Sequence, residues 1–133
     1  MQGFKILVVD DQLHISRILK RALVARGYQV DSAQNGEEAV ERLKQSAVDV
    51  VLTDSQMPRM NGKTLCETVR RDYDDKVGLL ILSTAVADES LADWASQFRD
   101  TLYLEKPVSV RRLCALVENH FAESQGARAV GEQ

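Results

Sequence analysis

The stretch Val48-Asp49-Val50-Val51-Leu52-Thr53-Asp54 constrains the fold more than any other. Its centre, Val50-Val51-Leu52, is continuously apolar and largely β-branched, the mark of a strand buried on both faces. Such a strand belongs to a parallel sheet with helices on either side. The run stops at Asp54. Met57-Pro58 then forces a turn, because proline continues neither a helix nor a central strand. Asn61-Gly62 offers a cap for a new helix. A carboxylate at the end of a buried parallel strand stands where open α/β sheets bind ligands. The plain alternative for one such Asp is that it only caps the turn.

The same rhythm recurs along the chain. Phe4 to Val9 is apolar and ends in Asp10-Asp11. Gln12 to Arg26 carries Ile15, Ile18, Leu19, Ala22 and Leu23 at helical spacing, and Gly27 closes that helix. Tyr28 to Ala33 predicts a short strand. Asn35, followed three positions later by Glu38, opens a second helix that runs to Gln45. A third helix is expected from Gly62 to Tyr73 with Leu65, Cys66 and Val69 inward. Val77 to Ser83 is the next buried strand and ends in Ser83-Thr84-Ala85. Asp88 is placed to cap a fourth helix carrying Leu91, Ala92, Trp94, Ala95 and Phe98. Thr101 to Glu105 is a more polar strand ending at Lys106-Pro107. Ser109 caps the last helix, which puts Val110, Leu113, Cys114, Val117 and Phe121 on one face. Five βα units predict a doubly wound α/β domain with a parallel five-stranded sheet. Residues 1–122 form that domain. Residues 123–133 are small, polar and without period, which predicts a disordered tail or the start of a linker.

Composition narrows the function classes. A chain of 133 residues is one domain with a substantial core. A net charge of -3 and a pI near 5.4 argue against nucleic-acid binding through a basic surface. No apolar run approaches a membrane span, and the start of the chain is charged too soon for a signal peptide, so the expected location is the cytoplasm. Cys66 and Cys114 lack metal-ligand spacing and read as reduced thiols in or near the core. His14 and His120 lie far apart and give zinc no support. Trp94 and Phe98 read as core, and Arg70-Arg71 and Arg111-Arg112 as solvated helix faces.

Four of the five strands end in a group suited to phosphate chemistry: Asp10-Asp11, Asp54, Thr84 and Lys106. The second strand ends in Ser32-Ala33 and has none. The strand order 2-1-3-4-5 of the flavodoxin-like fold makes the other four neighbours at one edge. Three carboxylates crowded there repel one another, which a divalent cation and a lysine relieve. Lys106 supplies a positive charge and Thr84 a hydroxyl for phosphoryl oxygens. The set comprises a nucleophilic carboxylate, a metal clamp and oxygen-binding donors.

On these residues the chain resembles a two-component response-regulator receiver domain. The resemblance rests on Val8-Val9-Asp10-Asp11, Asp54 to Gly62, Ser83-Thr84-Ala85 and Tyr103-Leu104-Glu105-Lys106-Pro107, in the family's order and spacing, and covers Phe4 to Phe121. It implies that Asp54 accepts a phosphoryl group from a sensor histidine kinase or phosphotransfer protein. It implies Mg²⁺ as cofactor, held by Asp10, Asp11, Asp54 and the main-chain carbonyl of Gln56. It further implies phosphoryl binding by Thr84 and Lys106, a cis Lys106-Pro107 bond, and Tyr103 as the aromatic that moves with Thr84. Gln56 and Val86 fall at positions that in the family flank the hydrolytic water and tune its rate. The implied output is a downstream effector or a further domain, from a monomer or a weak phosphorylation-dependent dimer. Such a domain is a signalling unit rather than an enzyme, catalysing only its own phosphotransfer and dephosphorylation. Two departures stand out: Phe98-Arg99-Asp100 replaces a small-residue turn before the fifth strand, and Val108 follows Pro107 where many DNA-binding regulators carry Phe.

Three other readings compete. A haloacid-dehalogenase phosphatase needs an Asp where Gln56 stands. A flavodoxin-type FMN carrier needs a phosphate loop where Asp10-Asp11 would repel the ligand. A pseudo-receiver, an interaction module independent of phosphorylation, loses one of the acid, threonine or lysine positions that this chain keeps.

Overall fold

The computed structural model describes residues 3–86 and 89–132, with side chains described as far as residue 122. Strands β1 (Lys5–Val9), β2 (Gln29–Ala33), β3 (Val48–Asp54), β4 (Val77–Thr84) and β5 (Thr101–Glu105) form one sheet. Their order is β2-β1-β3-β4-β5 and every pairing is parallel. Helices α1 (Leu13–Ala25), α2 (Gly36–Gln45), α3 (Gly62–Asp72), α4 (Glu89–Ser96) and α5 (Val110–Glu132) make the crossovers. This is the expected flavodoxin-like arrangement.

The continuous apolar runs are buried on both faces because successive side chains alternate. Ile6, Val8, Val50, Leu52, Leu79 and Ile81 pack beneath α1 and α5 with Leu23, Leu113 and Val117. Leu7, Val9, Val51, Leu80 and Leu82 pack beneath α2, α3 and α4 with Ala39, Leu43, Leu65, Val69 and Leu91. Local signals fix the helix ends. Gly27 takes φ 96° just past α1, a conformation open to glycine. The Asn35 side chain accepts from the Glu38 N–H at 2.9 Å, and Asn61 does the same for Thr64. Ser109 Oγ accepts from the Arg112 N–H at 3.2 Å at the start of α5. Cys66 and Cys114 are buried thiols as expected, and burial pushes Cys66 up to about 12.

Three expectations change. Ile18 lies on the outer side of α1 and is 63% exposed. Helical spacing alone made it inward, but α1 packs through Ile15, Ser16, Leu19 and Leu23. Phe98 lies beyond the end of α4, its ring 5.6 Å from that of Trp94. Trp94 itself packs half-buried against the core. Arg70 is not solvated: its side chain is 4% exposed. Its guanidinium donates to the carbonyls of Val77 at 2.9 Å and Asp100 at 3.0 Å, and to the Asp74 carboxylate at 3.1 Å. Neighbouring Arg71 remains exposed, as do Arg111 and Arg112. The loop Phe98-Arg99-Asp100 closes without small residues. Asp100 adopts φ 50°, which a short polar side chain tolerates, and Arg99 Nε donates to Asp74 at 2.9 Å.

The proposed cap Asp88 lies outside the described residues. The tail expected over 123–133 falls on positions whose side chains are likewise outside them, along the last turns of α5 and at residue 133. Among the described residues no helix is long and apolar enough to cross a membrane.

Candidate functional site

All five strands point their carboxyl ends to one edge, so the residues that close β1, β3, β4 and β5 converge there. Asp54 ends β3 opposite Ser83 of β4. Asp10 and Asp11 follow β1, which pairs with β3 on its other side. Asp10, Asp11 and Asp54 each offer an oxygen, and these oxygens all lie within 4.8 Å of one another. Asp10 and Asp54 are buried and Asp11 is exposed. Lys106 Nζ stands 2.8 Å from Asp54 Oδ1. It arrives there because the Lys106 N–H donates to the Thr84 carbonyl at 2.8 Å and the Lys106-Pro107 bond is cis, as expected.

Two main-chain donors steady the carboxylates. The Gln12 N–H donates to Asp10 Oδ1 at 2.9 Å, and the Gln56 N–H reaches Asp54 Oδ1 at 3.4 Å. Gln12 had no signal in the sequence, because a main-chain donor carries no side-chain signature. Burial pushes the Asp10 carboxyl above its ordinary 3.8. The Gln12 N–H opposes that, the charge of Asp54 adds to it, Lys106 opposes it, and Asp11 adds again. Three carboxylates facing one lysine leave a local excess of negative charge. The donor set, all oxygen and partly open to water through Asp11, fits a hard divalent cation.

The turn after Asp54 is tightly built. The Met60 N–H donates to the Pro58 carbonyl at 2.8 Å across Arg59, which takes φ 70°. That is a three-residue turn of the strained kind found at functional loops. The Gly62 N–H then donates to the Ser55 carbonyl at 3.0 Å, and a Cβ at Gly62 would overlap the Asp54 carbonyl. Only glycine lets α3 start this close to the end of β3.

Thr84 closes β4 on the other side. Its hydroxyl donates to the Val86 carbonyl at 3.0 Å. Gln56 and Val86 line one cleft with Thr84, and Val86 is 75% exposed. Tyr103 pairs in register with Leu82, two residues before Thr84, and packs half-buried against the core. The sequence-predicted residues are thus all at one edge, with Tyr103 one step back along β5.

The sequence profile of the response regulator receiver domain matches residues 6–118. The chain belongs to that family. This receiver is 35% identical over 119 residues to a probable transcriptional regulator ycf27 of Porphyridium aerugineum, across 90% of this chain and 48% of that protein. It is 31% identical over 121 residues to a probable chemotaxis protein CheY of Rhizobium etli, across 90% of this chain and 94% of that one. Its fold matches the chemotaxis protein CheY4 of Vibrio cholerae with a TM-score of 0.79 at 26% identity, covering 87% and 97% of the two chains. The receiver spans about half the length of the curated transcriptional regulators it matches. As a receiver it serves as the phospho-accepting module of two-component signalling.

Proposed function

We propose that Asp54 is the phospho-acceptor, supplied by a sensor histidine kinase or phosphotransfer protein. The observation that carries this reading is the 2.8 Å pair between Lys106 Nζ and Asp54 Oδ1, with two further carboxylates beside it. An Asp54 oxygen attacks the phosphorus of a phosphohistidine. The P–N bond breaks, and its electron pair leaves on the imidazole, which takes up a proton. Lys106 follows the charge from the carboxylate to a phosphoryl oxygen, and the Thr84 hydroxyl leaves Val86 to donate to another. Asp10, Asp11, Asp54 and the main-chain carbonyl of Gln56 would hold Mg²⁺, which when bound offsets the negative charge gathered on these oxygens.

The protein turns over no separate substrate; it transfers and releases its own phosphoryl group. It works in the cytoplasm, as a monomer or a phosphorylation-dependent dimer, and passes the signal to an effector protein or an attached output domain. Nothing favours a phosphorylation-independent module, because the acid, threonine and lysine positions are all filled.

With Mg²⁺ and a small donor such as acetyl phosphate, intact-mass spectrometry should show one added phosphoryl group. Asp54→Ala should abolish it; full labelling of that variant would put the acceptor elsewhere. The same assay reads the lifetime. Val86 has no group to hold the hydrolytic water, while Gln56 does, so Val86→Glu or Val86→Lys should change the decay rate. Identical decay in both variants would remove position 86 from the hydrolytic path.

A further inference from the structure

We infer that the crevice beside Asp54 selects, among small-molecule phosphoryl donors, acyl phosphates that carry a short alkyl tail. The inference rests on Asp54 being the acceptor. The crevice has a volume of about 450 Å³ and lies between α1 and the chain that follows β5. Val8 and Leu52 line its depth, and Ile15, Leu19, Pro107 and Val108 its sides. Asp10, Asp54 and Lys106 line the same space, so no wall separates the acceptor from the apolar part. A molecule that fills both parts is anionic at one end and apolar at the other. An acyl phosphate with a tail of a few carbons has that shape, and the volume falls in the range of ordinary small-molecule sites. The exposed Ile18 extends the apolar lining outward along α1.

The chemistry needs no further reactant. An Asp54 oxygen bonds to phosphorus, the bond from phosphorus to the acyl oxygen breaks, and the carboxylate leaves with the electron pair. No proton moves. Straight-chain carboxylates leave about equally well, so the tail acts through binding alone. It sits in the crevice before and during transfer, which lowers the half-saturating donor concentration and leaves the maximal rate alone. Each buried methylene is worth about a fourfold fall in that concentration.

The test uses the full chain with Mg²⁺ and follows intact mass at varied acetyl, propionyl and butyryl phosphate, with phosphoramidate as a donor lacking a tail. The half-saturating concentration should fall about fourfold per added methylene as far as butyryl. The series should flatten in Val108→Gln, and in Ile18→Gln, whose exposed position spares the fold. Equal half-saturation by acetyl and butyryl phosphate overturns the inference while leaving Asp54 as acceptor. A steep series that both variants retain also overturns it, because the tail then sits elsewhere. Failure of phosphoramidate and every acyl phosphate to label Asp54 defeats the acceptor reading, and this inference with it.

Discussion

At the scale of single residues, Asp10 carries a cost that the site has accepted. It is 4% exposed and faces two other carboxylates. Folding therefore raises its pKa above the ordinary 3.8, mainly through burial. A carboxyl raised in this way binds protons more readily folded than unfolded. Its penalty is fully present above the raised value and disappears as pH falls through that value toward 3.8. Without a divalent cation, Asp10→Asn should raise the melting temperature at neutral pH. The gap between the variant and the native chain should close as pH is lowered. A variant no more stable than the native chain at neutral pH would show that Asp10 is not strained.

At the scale of elements, the link that matters runs from β4 to α4 and β5. Thr84 is held by Val86, and its neighbour Leu82 pairs with Tyr103. We propose that when the Thr84 hydroxyl turns to a phosphoryl oxygen, the Tyr103 ring moves into the space it leaves and the face of α4, β5 and α5 changes shape. Two-state elements of this kind typically couple by roughly 1–3 kcal/mol. The single tryptophan of the chain, Trp94, sits on α4. Its Nε1 donates to Glu67 of α3 at 3.4 Å, and Lys63 Nζ lies 5.7 Å from its ring centre. Any shift of α4 against α3 should therefore alter its fluorescence. Beryllofluoride with Mg²⁺ should change Trp94 emission and turn Tyr103 inward in a crystal structure, and Thr84→Ala should block both. An unchanged spectrum with Tyr103 in one rotamer would send the search for the output to another surface.

At the scale of the whole molecule, two ends of the sheet do different work. The carboxyl edge gathers the reacting groups. The amino edge of β4 and β5 is tied by Arg70, which spans the carbonyls of Val77, Gly78 and Asp100 while Arg99 and Arg70 share Asp74. A buried guanidinium with this many partners is costly to remove, because the Val77 and Gly78 carbonyls lose a donor, although Asp74 keeps Arg99 and the Asp100 carbonyl keeps the Leu80 N–H. Arg70→Ala should cost about 1–3 kcal/mol in urea unfolding. A loss under about 0.5 kcal/mol, the range of ordinary surface changes, would mean that Arg70 is held no more tightly than Arg71.

The sequence by itself determined the strands, their parallel order and the set of groups at the reacting edge. Those features follow from local signals: continuous apolar runs such as Val50-Val51-Leu52, caps at Asn35 and Asn61, and a polar residue at the ends of four of the five strands. It also carried the turn after β3 whole, because Asp54 to Gly62 is contiguous. What only the tertiary structure decided depends on partners distant in the chain. Ile18 and Leu19 are adjacent and equally apolar, and only the packing of α1 tells which faces water. Arg70 and Arg71 are the same residue, and only the meeting of α3, β4 and the loop before β5 buries one of them. The crevice beside Asp54 exists because α1 lies where it does against the loop after β5, a distance that no spacing along the chain records.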